Sequence, residues 1–168
     1  TCVAAGWGTT APGMCGGVGI LVRQAPGTPV QLDSLVKWHG VAGWRVNLGR
    51  PEEPAEWAAS DQDPIWRKAE EVGALFQSFG PADKQPAIEP IVARYPGVKR
   101  VIDHSGGAPT DEGDDAPLLG NVLKIAQYPN TYIKFTPQGH KSKEDYPFAD
   151  THGTFEKIYD AFGPQRIM

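Results

Sequence analysis

Val101-Ile102-Asp103-His104-Ser105-Gly106-Gly107 reads as a buried strand that runs into a histidine and then a glycine turn. The β-branched pair suits a parallel strand covered on both faces. Two successive glycines let the backbone turn sharply away from it. His104 therefore sits at the strand's carboxyl end, where parallel α/β folds gather ligands and catalytic groups. From this segment alone, His104 is equally readable as a hydrogen-bonded structural histidine.

Working outward, apolar or β-branched runs recur at 17–22, 41–48, 74–79, 98–104 and 130–136, and 165–168 begins another. Their centres are about 25 to 34 residues apart. Between them lie segments of helical periodicity: Leu32/Leu35/Val36/His39, Ile65/Trp66/Ala69/Val72, Ile88/Ile91/Val92/Tyr95, Leu118/Leu119/Val122/Leu123/Ala126 and Phe155/Ile158/Tyr159/Phe162. Asp63-Pro64 offers an N-cap with a first-turn proline, Thr151 a second cap, and Gly73 and Gly163 stand where helices stop. Pro86 and Pro90 cannot both lie inside one helix, so the third is expected to begin near Glu89.

Strict β-α alternation predicts a parallel sheet with right-handed crossovers, either a doubly wound open sheet or part of a barrel. Polar side chains inside the strands favour the barrel. Trp44-Arg45-Val46-Asn47-Leu48 and Tyr132-Ile133-Lys134-Phe135-Thr136 each place polar or charged groups on one face. A helix-covered face would bury those groups, whereas a barrel mouth lets them meet water, a ligand or one another. The expected architecture is α/β, a parallel (β/α)8 TIM barrel, incomplete, with about five βα units and the start of a sixth strand. Residues 1–168 are expected to form one partial barrel domain truncated at both ends, since the chain opens on Thr1 and stops just as an apolar segment begins.

Composition narrows the function classes. The 16 basic residues are outnumbered by 20 acidic ones, net charge −4, and no basic stripe is present, which removes the electrostatic basis for nucleic-acid binding. No apolar run approaches the roughly 20 residues of a membrane span. Cys2 and Cys15 make neither a disulfide framework nor a metal site and fit a reducing cytoplasm. The acidic loop with Asp111, Glu112, Asp114 and Asp115 lacks calcium-loop spacing and reads as solvated. The stretch 137–150 is long for a βα connection and is equally readable as a substrate lid or a plain excursion.

If the strand ends converge, the candidate site contains Arg45, Asn47, Gln77, His104 and Lys134, with Ser105 and Thr136 nearby. Histidine can serve as general base, metal ligand or carbonyl polariser, while Arg and Lys can hold a carboxylate or an oxyanion. No Gly-x-Ser-x-Gly elbow, Walker A loop, dinucleotide-binding fingerprint or His-Glu-x-x-His occurs, so a hydrolase here would use water as the attacking group. Arg45 and Lys134 read equally as a barrel-lining salt-bridge network. Asp103 alternates away from His104 and reads as structural, His140 and His152 as exposed loop residues, and His39 as a partner of its helix dipole. Trp44, Trp57 and Trp66 read as packing residues, with Trp57 also able to line the mouth.

The ordered segments Gly43-Trp44-Arg45-Val46-Asn47-Leu48, Pro64-Ile65-Trp66, Val101 through Gly106, Tyr128-Pro129-Asn130-Thr131-Tyr132-Ile133-Lys134 and Asp160 through Met168 together carry a resemblance. From about Gly17 onward the chain resembles the amidohydrolase-related, metal-dependent TIM-barrel hydrolases. The similarity is greatest to a subgroup that includes dicarboxylate and sugar lactonases, with decarboxylases as more distant relatives. The resemblance implies that His104 is the barrel histidine that contacts a metal or polarises the scissile carbonyl. It implies a His-x-His pair before residue 1 and a catalytic aspartate soon after Met168. A divalent metal, zinc first, or metal-free chemistry is implied, since lactonase members can lack a metal. The implied activity is water attack on a lactone or ester-type carbonyl of a small carboxylate or sugar-derived molecule; Arg45, Asn47, Gln77 and Lys134, placed by the convergence of strand ends and not by the resemblance, are the candidates for binding that substrate. A non-oxidative decarboxylase on the same barrel and an inert or non-enzymatic binding module are the alternatives. The expected partner is a small molecule, with self-association into a homo-oligomer left open.

Overall fold

The computed structural model describes residues 17–19, 27–49, 53–110, 117–136, 139 and 141–168. Cys2, Cys15, the 111–115 acidic run, His140 and the His39 side chain lie outside that set. Five parallel strands stand in sequence order: β1 Gly17–Gly19, β2 Val41–Asn47, β3 Leu75–Phe79, β4 Arg100–Ile102 and β5 Thr131–Ile133. A parallel bridge from Ile133 to Ile167 adds the start of a sixth. Among the described residues six α-helices follow the strands or lie between them: α1 Thr28–His39, α2 Glu53–Ala58, α3 Asp63–Val72, α4 Glu89–Arg94, α5 Pro117–Ile125 and α6 His152–Phe162. No helix among the described residues is long and apolar enough to cross a membrane.

Register explains why the strands carry two kinds of residue. Arg45 pairs with Gln77, Gln77 with Val101 and Val101 with Tyr132, forming one interior row, while Asn47 pairs with Phe79 a pleat further on. The alternate row, Trp44–Phe76–Arg100–Thr131, faces the helices and is buried throughout. Successive side chains point to opposite faces, so one face becomes core and the other becomes lumen.

The helix-side core has two parts. Trp44, Trp57, Trp66 and Phe76 form an aromatic cluster with Leu32, Ile65 and Ile91. Trp66 lies 5.0 Å from Trp44 and 4.9 Å from Phe76 between ring centroids, and its indole N–H donates to the Trp57 carbonyl at 3.0 Å. The second part packs Ile102 and Ile133 against Leu119, Val122 and Ile125 of α5 and Ile158 and Phe162 of α6. The tryptophans thus pack as read, and Trp57 belongs to the core and not to the mouth. At Gly43 the backbones of β2 and β3 approach so closely that a Cβ would meet the Leu75 carbonyl oxygen.

Arg100 is the exception on this face. Its guanidinium is fully buried and its partners are neutral: Nε donates to Ser78 Oγ at 3.1 Å and Nη2 to Gln85 Oε1 at 2.6 Å. Burial pushes its pKa down to about 9, with the charge of Glu89 acting in the opposite direction. Gln85 in turn donates to the Gly80 carbonyl at 3.0 Å, so the buried arginine braces the loop that leaves β3.

Several local expectations change. The strands β4 and β5 are shorter than the apolar runs, ending at Ile102 and Ile133, although Asp103 keeps extended backbone (φ −82, ψ 149) one residue beyond β4. The connection 49–60 contains the short helix α2. Gln62, not Asp63, holds the cap position of α3, and the Asp63 carboxylate instead accepts from Arg94 at 2.8 Å. Thr151 makes no cap bond to α6, since its hydroxyl donates to the Phe148 carbonyl at 2.8 Å. The helix α4 does begin at Glu89, with Pro90 in its first turn and Pro86 in the 3-10 turn Ala82–Ile88 before it.

Candidate active site

The strand β4 ends at Ile102, and the chain passes into a tight turn over His104–Gly107. Four consecutive residues there, from His104 (φ +51) to Gly107 (φ +71), take positive φ. For Gly106 (φ +67) this costs nothing, but a Cβ added there would lie 2.9 Å from Val122 Cγ2. Gly106→Ala is therefore expected to lose at least about 1–2 kcal/mol from the left-handed backbone alone. The midpoint of urea denaturation measures this, and an unchanged midpoint would contradict it.

This turn sets the geometry of the candidate residues. Asp103 continues the alternation of β4 and points to the interior with a side chain that is 0% exposed. Its Oδ2 accepts from Arg45 Nη2 at 2.6 Å and lies 3.5 Å from His104 Nε2, while its Oδ1 faces Lys134 Nζ at 3.5 Å. The expectation that Asp103 alternates away from His104 is thus overturned. Left-handed φ at His104 swings the imidazole back over the mouth, so both neighbours face one side. Asp103 is the buried hub on which β2, β4 and the end of β5 converge. Its three partners have side chains 40–52% exposed, so their polar heads remain within reach of a ligand.

Of the residues read from sequence, Arg45, Gln77, His104 and Lys134 come together, Gln77 through a 3.4 Å contact of its Oε1 with Arg45 Nη2. Asn47 lies on the same face, but its Oδ1 accepts from the Gly49 N–H at 2.8 Å, which shapes the rim. Thr136 Oγ1 stands 3.2 Å from His104 Nδ1, and Ser105 Oγ accepts from the Thr136 N–H at 3.3 Å. A cleft of about 380 Å³ opens beside the imidazole, with Gly49, Phe79, Pro81, Thr136 and Lys141 among its walls. Lys141 lies within the long 137–150 connection and is tied to the His104 turn by a 3.0 Å bond from Nζ to the Ala108 carbonyl. His152 is exposed, its Nε2 lying 2.9 Å from the Pro147 carbonyl.

Asp103 and Phe79 escaped the sequence reading. The signal for both was the pleat: Gln77 and Val101 point inward, so the residues two further on do as well.

Metal binding needs convergent ligands. Among the described residues no three His, Cys, Asp or Glu side chains converge. The Asp103 oxygen nearest His104 is already engaged by Arg45. These residues do not by themselves fit a zinc site.

The chain is similar to known proteins in sequence and in fold. The curated D-galactarolactone isomerase of Agrobacterium fabrum is 28% identical over 97 residues, covering 58% of this chain and 31% of the relative. A solved amidohydrolase from Burkholderia multivorans with bound HEPES superposes with a TM-score of 0.79 at 17% identity, over 95% of this chain and 60% of that one. A candidate 2-pyrone-4,6-dicarboxylic acid hydrolase from Pseudomonas putida gives 0.71 at 21% identity, over 95% of this chain and 57% of that one. The chain thus spans about a third of the curated relative and under two thirds of these solved structures. Its unclosed parallel sheet is part of a TIM barrel. The family model described as amidohydrolase matches residues 1–168, and the chain belongs to that family.

Proposed function

We propose that the chain carries part of the active site of an enzyme that opens a lactone or ester-type carbonyl by attack of water. The observation that carries this is the His104 imidazole at the rim of the cleft, backed by the buried Asp103 and its cations. A ring N–H of His104 donates to the carbonyl oxygen and polarises it, and the adjacent positive charge favours the oxyanion that forms on attack. Arg45 and Lys134 bind an anionic or polar arm of a small substrate, and Gln77 offers an amide beside them. Asn47 acts at one remove, through the rim at Gly49. Water oxygen bonds to the carbonyl carbon, the acyl–oxygen bond breaks, and the ring oxygen leaves with a proton. Near neutral pH each turnover releases one acid equivalent.

A pH-stat assay of the full-length protein on a panel of lactones, run beside a carbon dioxide measurement on carboxylated substrates, tests this. Acid release without carbon dioxide is the expected result. Carbon dioxide release would establish the decarboxylase reading instead. Interconversion of lactones without acid, the reaction in the name of the Agrobacterium relative, would establish an isomerase.

A further inference from the structure

The cleft has an aromatic wall that the reaction above does not use. Phe79 ends β3 on the interior face, in register with Asn47, and is 38% exposed. Its ring is held from two directions. Arg45 Cζ lies 5.1 Å from the ring centroid, and the His104 ring meets it at 5.7 Å with an interplanar angle of 76°. An aromatic surface fixed in this way loses little freedom when a ligand covers it.

The neighbouring walls decide what it takes. Gly49, Gly80, Pro81 and Gly107 line the cleft and bring no hydrogen-bonding side chain. Among the polar lining residues, Thr136 already stands against His104, and Lys141 already donates to Ala108. A puckered ring rich in hydroxyls would leave water for walls whose side-chain partners are limited to His104, Thr136 and Lys141, which is penalised. A flat ring gives up only weak hydration and gains aromatic contact.

We infer that Phe79 is the specificity-determining residue of this cleft and selects a flat, unsaturated or aryl-fused ring over a puckered polyhydroxylated one. That the selected ring is a lactone rests on the hydrolase proposal, whereas the ring selection does not.

The test uses the full-length protein with dihydrocoumarin and D-glucono-1,5-lactone as substrates and 7-hydroxycoumarin as a binding probe followed by its fluorescence. Wild-type protein is expected to favour dihydrocoumarin in kcat/KM by about tenfold or more. Phe79→Leu, which keeps apolar bulk and removes the ring, should raise KM for dihydrocoumarin about tenfold with kcat little changed, and Phe79→Tyr should restore it. A preference for the gluconolactone, or an unchanged KM in Phe79→Leu, overturns the inference. If no lactone is opened, the hydrolase proposal fails and the probe decides. Weaker 7-hydroxycoumarin binding in Phe79→Leu, restored in Phe79→Tyr, supports the aromatic wall, and equal binding in all three overturns it.

Discussion

Replacing His104 with alanine in the full-length protein is expected to lower turnover by more than about a hundredfold, the low end for a group that moves or donates a proton in the transition state. The imidazole is the one aromatic nitrogen base at the cleft rim among the described residues, and it is fixed by Thr136 on one nitrogen and Asp103 near the other. Alanine also has to adopt φ +51 there. His104→Asn separates chemistry from backbone strain, because asparagine tolerates the left-handed region. Both variants should lose turnover alike, while the asparagine variant unfolds closer to the wild-type midpoint. Near-normal activity in His104→Asn would return the histidine to a purely structural role.

The largest effect on stability is expected at Trp66. The residue is fully buried and its ring stands within 4.9–6.4 Å of Trp44, Phe76, Trp57 and Tyr95 between centroids. Trp66→Ala removes the middle of this cluster and leaves the Trp57 carbonyl without its donor. A loss of about 3–5 kcal/mol follows from the cavity. That is a large share of the roughly 5–15 kcal/mol that holds a typical domain folded. Trp66→Phe keeps most of the volume and loses chiefly the hydrogen bond, for about 1 kcal/mol. Urea denaturation of the two variants against wild type measures both, and equal midpoints for Trp66→Ala and wild type would contradict the packing argument.

Much of the fold was legible because its signals are redundant. Each apolar run is followed by a helical period, and Arg45, Asn47 and Lys134 within those runs demand a face that helices do not cover. The sheet order and the placement of Arg45, Gln77 and Lys134 follow from that. The site itself was legible only in part. Alternation alone makes Asp103 and His104 point to opposite faces, and positive φ on a histidine leaves no mark in a sequence. Gly106-Gly107 announced the turn, but two residues too late to show that it began at His104. Phe79 was hidden for another reason. A phenylalanine closing an apolar run looks like core, and its place two residues beyond Gln77, in register with Asn47, is what reveals the interior face. Arg100 gave no sequence signal at all, since a basic residue beside Lys99 reads as solvated, whereas its neutral partners Ser78 and Gln85 come from β3 and the turn after it.

The two-faced pleat of β2 and β3 also bears on how such a chain can change over evolutionary time. Trp44, Val46, Phe76 and Ser78 are buried against the helix layer, while Arg45, Asn47, Gln77 and Phe79 stand between them on the other face. Selection on folding and selection on substrate therefore act on alternate letters of the same two short words. A lineage can rewrite every second residue in search of a new reaction while the letters between them keep the barrel wall intact.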